Sequence, residues 1–325
     1  MIGFVLGKFM PLHKGHLALI DFAYNNCDKL HIIVCYTKNE PIPGNIRTQW
    51  MAEEIKKYPN AVLVPFQYDA DELPNTSESS RQVSEKWADA LKKIVPGANL
   101  FFTSEPYGDY VAEFMSIRHI IFDQPRNLVP VSGKQIREFP FHYWDYIAGA
   151  AKPFFVKKIA LIGSESTGKT TLTEKLAHHY NTSFVLEMAR EVVEKTEECT
   201  YDNLLEISKL QTSAIVKKLP EANKFIFVDT ELIITKSYSE FLFTKKLVAD
   251  KWIEDANHFD LYLFLETDCD YIQDGTRLSE PERERLSGHH KAIFHREGIS
   301  FVTISGNWEE RFQQAKRIVE EYFLI

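Results

Sequence analysis

The sequence predicts an α/β protein made of two doubly wound parallel-sheet domains. Short apolar segments alternate with amphipathic helical segments along the chain, which is typical of parallel sheets covered by helices on both faces. This alternation restarts near residue 150. Each half also begins with a strand that leads into a glycine-containing loop and then a helix, first at Gly7–His16 and again at Gly163–Thr170. The two loops therefore mark two candidate phosphate-binding sites.

The composition is that of a globular protein with more than one hydrophobic core. The chain has 325 residues and a formal net charge of −8. An acidic chain provides no overall positive field, so we expect no nucleic-acid binding. The amino terminus does not read as a signal peptide, the four cysteines form no CxxC pair, and no segment approaches the ~20 apolar residues of a membrane helix. We expect a cytoplasmic protein without membrane insertion.

The first half contains short segments rich in Ile, Val and Phe, which predict buried strands, and amphipathic segments, which predict helices. The predicted strands are Met1–Leu6, Leu30–Cys35, Ala61–Phe66, Asn99–Thr103 and His119–Phe122. The predicted helices are Leu17–Tyr24, Arg47–Lys57 and Glu85–Ile94. A small-residue segment followed by Lys152 and Pro153 places the boundary near residue 150. The predicted domains are therefore residues 1–150 and 151–325.

The second half repeats the same alternation with a new set of apolar segments. Its predicted strands are Lys157–Ile162, Phe184–Leu186, Phe225–Val228, Leu261–Leu265 and Ser300–Ile304. Its predicted helices include Thr171–Tyr180 and Trp308–Phe323. No internal repeat, low-complexity tract or helix-turn-helix pattern interrupts this order.

The segment Gly163–Thr170, GSESTGKT, matches the phosphate-loop pattern GxxxxGK[ST] at every position. Gly163 and Gly168 lack a Cβ, so the loop can turn successive backbone N–H groups toward a polyphosphate, and the next helix adds its positive dipole end. Lys169 is predicted to be a catalytic residue that contacts the outer phosphates of ATP, and Thr170 is predicted to ligate Mg²⁺. The predicted ATP-binding residues here are Gly163, Ser164, Glu165, Ser166, Thr167, Gly168, Lys169, Thr170 and Thr171.

A carboxylate follows the strand Phe225–Val228 directly. Asp229 is thereby predicted at the carboxyl edge of a parallel sheet, from which it can reach Mg²⁺ or a substrate hydroxyl. An aspartate at a strand end is also a frequent helix cap, so both interpretations stand. We predict a catalytic and metal-binding role for Asp229.

The glycine-containing segment Asp274–Arg277 carries an arginine and suits a mobile lid that closes over transferring phosphates. Arg277 is the predicted catalytic residue of this segment. Arg283 and Arg285 follow, but the alternating charges there equally fit a solvated helical face.

The N-terminal loop Gly7–His16, GKFMPLHKGH, carries two histidines at the start of a predicted helix. His13 and His16 lack an evident third metal ligand, which makes a zinc site a poor account. Imidazoles at a helix amino end can instead donate hydrogen bonds to an α-phosphate whose charge grows during nucleotidyl transfer, and Gly15 would let a triphosphate approach the backbone. A strand–turn–helix with two capping histidines has the same spacing.

This loop resembles the GxFxPxHxGH signature of the nucleotidyltransferase superfamily, whose members transfer AMP from ATP to a phosphate. The second signature of that superfamily, ISxTxxR, is similar to Val131–Arg137, VSGKQIR, in which Lys134 stands where the signature has Thr. The resemblance implies that His13 and His16 are catalytic. The ATP-binding residues that it implies are Gly7, Lys8, Phe9, Gly15, Ser132 and Arg137.

The order of the two domains resembles the NadR-type family, in which a nicotinamide-nucleotide adenylyltransferase is joined to a ribosylnicotinamide kinase. Shorter segments carry the same resemblance: Pro43–Trp50, Thr103–Gly108, Asp123–Arg126, Glu187–Arg190 and Asp274–Arg277. It implies that the second domain phosphorylates nicotinamide riboside to the mononucleotide (NMN) and the first converts NMN and ATP to NAD and pyrophosphate. ATP is then a co-substrate of both steps and Mg²⁺ a cofactor.

The same resemblance suggests which residues hold the substrates. The implied substrate-binding residues are Trp50, Ser104, Tyr107, Asp123, Arg126, Glu187 and Arg190. Trp252 and Tyr271 are further candidates for stacking on the pyridinium ring through a cation–π contact, although core packing explains each of them equally well.

Three alternatives remain open from the sequence. Phosphopantetheine adenylyltransferase joined to dephospho-coenzyme-A kinase has the same domain order. Because of Lys134, the protein could also be a nucleotide-regulated sensor that acts through a partner such as a riboside transporter, or a kinase whose first domain is silent. Relatives in the NadR-type family carry an N-terminal DNA-binding helix-turn-helix, but this sequence starts at the first predicted strand, so repressor activity is not expected. Homo-oligomerisation is also left open.

Overall fold

The computed structural model describes residues 1–74, 80–272 and 277–324. It divides into two compact units, Met1–Phe154 and Phe155–Ile325. Each unit contains a five-stranded sheet in which all paired strands are parallel. The predicted fold class is confirmed. No helix in these described residues combines the length and apolar character needed to cross a lipid bilayer.

The first sheet reverses its strand order beside its central strand. The strands are β1 (Ile2–Gly7), β2 (Lys29–Tyr36), β3 (Ala61–Gln67), β4 (Leu100–Thr103) and β5 (Arg118–Ile121), in the order β3-β2-β1-β4-β5. In the described residues they are connected by α1 (Lys14–Tyr24), α2 (Gly44–Glu54), α3 (Arg81–Ile94) and α4 (Gly108–Met115), and α5 (Gly133–Glu138) follows β5. The reversal separates the crossovers after β1 and β4, so their carboxyl ends border a crevice suited to ligands.

The core of the first unit explains why these segments form a sheet. Phe4 on β1 and Phe101 on β4 are both 0% exposed and stack with ring centroids 4.4 Å apart. Trp87 on α3 is 1% exposed and donates its indole N–H to the Pro74 carbonyl at 2.7 Å. β1, β2 and β4 are largely buried on both faces, so their sequences are continuously apolar, whereas exposed residues recur along β3 and at both ends of β5.

The second sheet places the strand before the phosphate loop at its centre. Its strands are β6 (Lys157–Ile162), β7 (Phe184–Val185), β8 (Phe225–Asp229), β9 (Leu261–Leu265) and β10 (Val302–Ile304), in the order β10-β9-β6-β8-β7. The described helices are α6 (Lys169–His179), α7 (Ala189–Val192), α8 (Tyr201–Lys218), α9 (Leu232–Phe243), α10 (Lys251–Ala256), α11 (Glu280–Arg296) and α12 (Trp308–Phe323). The loop after β6 thus lies between the carboxyl ends of β8 and β9.

Short 3₁₀ segments connect or extend several elements. They are Ile55–Lys57, Trp144–Tyr146, Gly149–Phe154, Thr196–Glu198 and Leu219–Glu221. The predicted helix Arg47–Lys57 is shifted in the structure: the α-helix begins at Gly44, directly after Pro43, and its last predicted turn is the 3₁₀ segment Ile55–Lys57. The fixed φ of Pro43 suits the residue before a helix, which favours a helix start at Gly44.

Candidate functional sites

The loop after β1 brings both histidines to the amino end of α1. His13 is the N-cap residue and is 6% exposed, and its Nδ1 accepts a hydrogen bond from the Gly15 N–H at 3.1 Å. The His13 and His16 rings stack with centroids 3.7 Å apart, and Phe9 meets His16 edge-on at 5.0 Å. Because Nδ1 of His13 is an acceptor, a neutral His13 carries its proton on Nε2, which is then a hydrogen-bond donor.

Both imidazoles are held in the neutral form. Burial lowers the pKa of His13 to about 4, and the positive charge of Arg126 contributes. Burial, followed by His13 and Arg126, lowers the pKa of His16 well below its ordinary value. At neutral pH the pair therefore offers N–H donors and not cations. Within the described residues no hydrogen-bond partner reaches Nδ1 of His16.

The start of α5 packs onto the same loop. Arg137 donates to the carbonyl of Met10, and a Cβ on Gly133 would lie 2.6 Å from that carbonyl oxygen, so the contact requires glycine. Ser132 caps α5 through a reciprocal capping box with Gln135. The structure thus brings Ser132 and Arg137 next to the histidine loop, as the second signature implies.

Lys134 has a different environment from its neighbours in the signature. Its side chain is 76% exposed and its Nζ lies 3.8 Å from a Glu138 carboxylate oxygen. Ser132 is engaged in the cap and Arg137 is turned onto the histidine loop. The residue that departs from the signature therefore lies on the solvent-exposed surface of α5.

A buried ion pair that the sequence reasoning missed supports the histidine loop from the other side. Arg47 is 0% exposed and bonds to the Glu40 carboxylate, to the Lys8 carbonyl and, at 3.0 Å, to the Ile42 carbonyl. Glu40 also pairs with Lys8 at 3.0 Å. The sequence signal was Arg47 itself, in the family-like Pro43–Trp50 segment, but its partner Glu40 lies outside that segment.

The predicted mononucleotide-binding residues are not equally accessible. Trp50 and Tyr107 are each 7% exposed, and Trp50 packs edge-on against Phe154 at 5.5 Å. Ser104 is half-buried just after β4. The Asp123 carboxylate accepts the N–H groups of Asn127 and Leu128 at 2.8 and 3.0 Å and so shapes its own loop.

Of this predicted set, Arg126 is the residue whose charge acts on the histidines. Its side chain is 48% exposed, and one guanidinium nitrogen lies 3.1 Å from a Glu105 carboxylate oxygen. Its positive charge contributes to the lowered pKa of both His13 and His16. The structure therefore places a cation close to the two imidazoles.

In the second unit, the phosphate loop has the geometry that its glycines predict. Gly163 has φ +141 and a Cβ there would lie 2.6 Å from the Leu265 carbonyl oxygen. Gly168 has φ +82 and a Cβ there would lie 2.0 Å from the ring of Trp308. Neither position accommodates a side chain, because the conformation is strained for other residues and the space is filled.

The charged groups predicted around this loop are brought together. Lys169 is 8% exposed and its Nζ donates to the Ser164 carbonyl at 2.9 Å. The Thr170 hydroxyl donates to Oδ2 of Asp229 at 2.6 Å, and the Thr230 hydroxyl to Oδ1 at 3.3 Å. Burial raises the pKa of Asp229, while Lys169 and these two hydroxyls oppose that rise.

Glu187 belongs to the same cluster, and the pKa of its carboxyl group is also raised. The Glu187 side chain lines the adjoining cavity and is half-buried. Burial raises the pKa of Glu187 to about 7, opposed by Lys169 and increased by the carboxylates of Asp229 and Glu165. A carboxyl group that titrates near neutral pH in a cavity is a candidate general base.

A cavity of about 340 Å³ joins the phosphate loop to an apolar recess. The recess has apolar and aromatic walls, and its polar lining includes Glu187, Arg190 and Gln211. Gln211 also ties the site together, since its side chain accepts from the Met188 N–H and donates to the Asp229 carbonyl. The apolar walls are lined by Val193, Leu204, Ile207, Tyr238 and Leu242.

The aromatic residues of this cavity differ from those that the sequence suggested. Trp252 is 46% exposed on α10 and does not line the cavity, and the Tyr271 ring instead packs against Arg283 at 5.4 Å. Tyr238 on α9 and Trp308 at the start of α12 line it. No local motif marks either residue, so only the packing of distant elements identifies them.

The predicted lid arginines separate into distinct roles. Arg277 lines the cavity and donates to the Ile272 carbonyl at 2.5 Å. Arg283 is 1% exposed and its Nε donates to the Glu165 carbonyl at 3.0 Å, so it supports the loop from within and is not on a solvated face. Arg285 is exposed on α11. The remaining residues of that segment, 274–276, lie outside the described residues.

Comparison with known proteins gives matches to the whole chain. Residues 158–311 match a family model described as an AAA domain. The trifunctional NAD biosynthesis/regulator protein NadR of Escherichia coli (strain K12) is 28% identical over 347 residues, covering 98% of this chain and 83% of that protein. The protein of the same name from Salmonella typhimurium (strain LT2) is 28% identical over 346 residues, with the same coverage.

Two solved structures also match over the full length. Crystal structures of NadR protein in complex with NAD and AMP-PNP and in complex with NR have TM-scores of 0.79 and 0.80 to this chain. Each is 22% identical and covers 100% of this chain and 96% of the compared chain. This likeness along the full length shows that those structures share the fold of this chain.

Proposed function

We propose that this chain, a homologue of the NadR proteins along 98% of its length, makes NAD from nicotinamide riboside in two ATP-dependent steps. In residues 151–325 the riboside 5′-hydroxyl attacks the γ-phosphorus of ATP and releases ADP, giving NMN. In residues 1–150 the NMN phosphate attacks the α-phosphorus of a second ATP and releases pyrophosphate, giving NAD. The observation that carries the proposal is that one chain combines this whole-length similarity with a neutral histidine pair and a complete phosphate loop.

The phosphate loop supports the kinase step through residues that contact the nucleotide. We propose that Lys169 turns from the Ser164 carbonyl onto the outer phosphates of ATP, and that the backbone N–H groups of the loop bind the same phosphates. Arg277, at the cavity, would offset the charge that develops during transfer.

The oxygen atoms of Thr170 and Asp229, 2.6 Å apart, fit a hard cation such as Mg²⁺, which prefers oxygen ligands. We propose that these two side chains hold it. Bound there, Mg²⁺ would neutralise phosphate charge and orient the ATP. Thr170 lies on α6, which follows β6, and Asp229 lies on β8. The site therefore depends on the pairing of β6 with β8, which aligns the two residues.

We assign the acceptor-hydroxyl proton to Glu187. Both oxygens of Asp229 are engaged by Thr170 and Thr230, whereas Glu187 faces the cavity with a pKa raised by burial to about 7. A base with that pKa accepts a proton efficiently near neutral pH. This division refines the sequence-based expectation, in which Asp229 was either base or metal organiser. Arg190, which lines the same cavity, is proposed to help hold the riboside.

The adenylyl step would rely on hydrogen bonds from neutral imidazoles. We propose that His13, through its Nε2–H, and His16 donate to the α-phosphate of ATP as negative charge grows there. Arg126 and Arg137, both adjoining the histidine loop, would balance the phosphate charge. No covalent enzyme intermediate is required, because the NMN phosphate is itself the nucleophile.

Product analysis tests this function directly. The protein is incubated with ATP, Mg²⁺ and either nicotinamide riboside or NMN, and the products are separated. NAD from both substrates supports two working sites and shows that Lys134 is tolerated. NMN from the riboside without NAD from either would leave a kinase with a silent first domain and favour the sensor alternative. No product from either would refute the nicotinamide assignment, and pantetheine substrates would be tested next.

A further inference from the structure

Glu165, the third residue of the phosphate loop, is bonded to segments far from it in sequence. Its Oε1 accepts a hydrogen bond from the Thr196 hydroxyl at 2.7 Å, and its Oε2 accepts the Leu278 N–H at 2.8 Å. Its backbone carbonyl accepts from the buried Arg283 at 3.0 Å. The carboxylate is thus occupied on both oxygens by groups from two different parts of the unit.

Both of those parts contribute residues to the lining of the cavity. The first, which we name the acceptor wall, is residues 189–199, and it contributes Arg190, Val193, Thr196 and Cys199 to the lining. The second, the Leu278 segment, is residues 277–279 and contributes Arg277. The acceptor wall contains only a short helix and a 3₁₀ turn, so contacts outside its own backbone must hold it in place.

Tyr238, which lines the cavity from α9, is a third group that interacts with Glu165. Burial, and then the negative charges of Glu165 and Glu187, raise the pKa of Tyr238 well above its usual range, and a hydrogen bond to Glu165 acts in the same direction. The Tyr238 hydroxyl therefore stays protonated and acts as a donor. Two hydrogen-bond donors, from Thr196 and Leu278, therefore meet the Glu165 carboxylate, and the protonated Tyr238 side chain lies in the same electrostatic environment.

The side chain of Glu165 is poorly suited to contact ATP itself. A carboxylate close to a polyphosphate would repel it, whereas the loop can bind phosphates through its backbone N–H groups. The negative charge of the Glu165 carboxylate is instead stabilised by hydrogen bonds donated by the Thr196 hydroxyl and the Leu278 N–H. The expectation that Glu165 belongs to the ATP site therefore concerns its backbone only.

We propose that Glu165 is a positioning residue that fastens the acceptor wall and the Leu278 segment to the phosphate loop and thereby sets the affinity for the acceptor nucleoside. This inference rests on the proposed kinase function. It adds that the P-loop of this chain couples the acceptor side of the cavity to the donor side through a single side chain. Binding of the acceptor would then depend on Glu165 although Glu165 does not touch the reacting atoms.

Steady-state kinetics of Glu165→Ala tests the proposal. Hydrogen bonds to charged groups are strong enough that losing both should raise KM for nicotinamide riboside about tenfold or more, with kcat and KM for ATP changed less than about threefold. Glu165→Gln keeps one carbonyl acceptor and should give an intermediate KM. Glu191→Ala is the matched control, because Glu191 is an exposed glutamate of the acceptor wall that does not line the cavity.

A double-mutant cycle distinguishes positioning from general destabilisation. Thr196→Val removes the hydroxyl with little change of shape and should raise KM for the riboside severalfold in the native background. In the Glu165→Ala background the same change should add less than about twofold, because the bond is already lost. Fully additive effects, or equal losses in kcat and both KM values, would overturn the proposal.

Hydrogen exchange provides a readout that does not depend on the identity of the acceptor. With AMP-PNP as the probe ligand, the Leu278 amide should exchange about tenfold or more faster in Glu165→Ala than in the native protein, since its acceptor is gone. Unchanged protection of that amide would refute the role of Glu165 even if nicotinamide riboside is a substrate. If the riboside is not turned over but the amide loses protection, the proposed function fails and the positioning role stands.

Discussion

At the scale of single residues, the chemistry depends on ionisation states that the surrounding protein imposes. His13 and His16 are kept neutral by burial and by Arg126, and Glu187 is kept partly protonated at neutral pH by burial beside two other carboxylates. In both units burial disfavours the charged form of the group. The pKa values of the two histidines are lowered, so the imidazoles are neutral hydrogen-bond donors, whereas the pKa of Glu187 is raised, so its carboxyl group can accept a proton near neutral pH.

The pH dependence of the kinase should reveal Glu187. Its pKa is raised to about 7, so the carboxylate form increases as pH rises through 7, and kcat/KM for the riboside should rise with pH over that range. Glu187→Gln should lower the kinase kcat about 10²–10⁴-fold and abolish this rising limb. A variant that retains the limb would exclude Glu187 as its source and return the base role to Asp229.

His16 provides a prediction for the other site. His16→Ala removes a donor to the α-phosphate and should lower NAD formation from NMN about 10²–10³-fold, while NMN formation from the riboside is unchanged. The measurement is the initial rate of each step in the same preparation. An unaltered adenylyl-transfer rate would show that His16 has no catalytic role.

The sequence identified residues that act through a local motif and missed those that act through packing. Lys169, Thr170 and the two histidines lie in contiguous signatures, and Asp229 follows an apolar strand. Tyr238 and Trp308 reach the cavity from α9 and α12, whose relation to the loop is set only by the folded sheet. The prediction for Trp252 rests on its aromatic chemistry alone, and the structure places it on the exposed surface of α10.

At the scale of elements, the phosphate loop is fixed as much by its neighbours as by its own glycines. Gly168 lies directly against the Trp308 ring, Gly163 against the end of β9, and Arg311 donates to the Thr167 carbonyl at 2.9 Å. The loop therefore depends on α12 and β9, which are more than ninety residues away in the sequence. A change at either glycine should disturb the site without breaking a catalytic contact.

A pair of glycine variants tests this dependence. Gly168→Ala puts a Cβ 2.0 Å from the Trp308 ring at φ +82, so ATP affinity should fall about tenfold or more and kinase activity should be lost. Gly288→Ala, in α11 with nothing within 4 Å of the new Cβ, should leave activity intact and stabilise the protein by up to ~1 kcal/mol. Equal ATP affinity in the two variants, measured by calorimetry, would contradict the assigned role of Gly168.

Element positions were predictable because each strand is a continuous apolar segment bounded by polar residues. The ten predicted strands differ from the structure by no more than two residues at either end. Helix ends were less predictable: α3 begins at Arg81, four residues before the predicted start, and Val83 in this first turn packs against the same core as Trp87. The strand order is likewise a tertiary property that no local pattern specifies.

At the scale of the whole molecule, two sites of different chemistry occur in one chain. In the proposed scheme the first site uses neutral histidines and arginines around the α-phosphate of ATP, and the second uses a phosphate loop, a carboxylate cluster and an acceptor cavity. The product of the second site is the substrate of the first in the proposed scheme. The two reactions should be separable by substitution, because each site is built from residues of one compact unit.

Lys169→Ala should separate them from the kinase side. The variant loses the cation that contacts the outer phosphates, so NMN formation from the riboside should fall about 10²–10³-fold or more. NAD formation from NMN should continue at the native rate. Loss of both activities in a folded variant would contradict the division of labour between the units.

The most direct test of the central claim is NAD formation from nicotinamide riboside by Lys169→Ala and His16→Ala, first alone and then mixed. The account predicts little NAD from either variant alone, with NMN accumulating in the presence of His16→Ala. The mixture should form NAD, because NMN made by one variant is used by the other. A mixture that makes no NAD, or a single variant that makes it at the native rate, would contradict the claim that two separate sites catalyse consecutive steps.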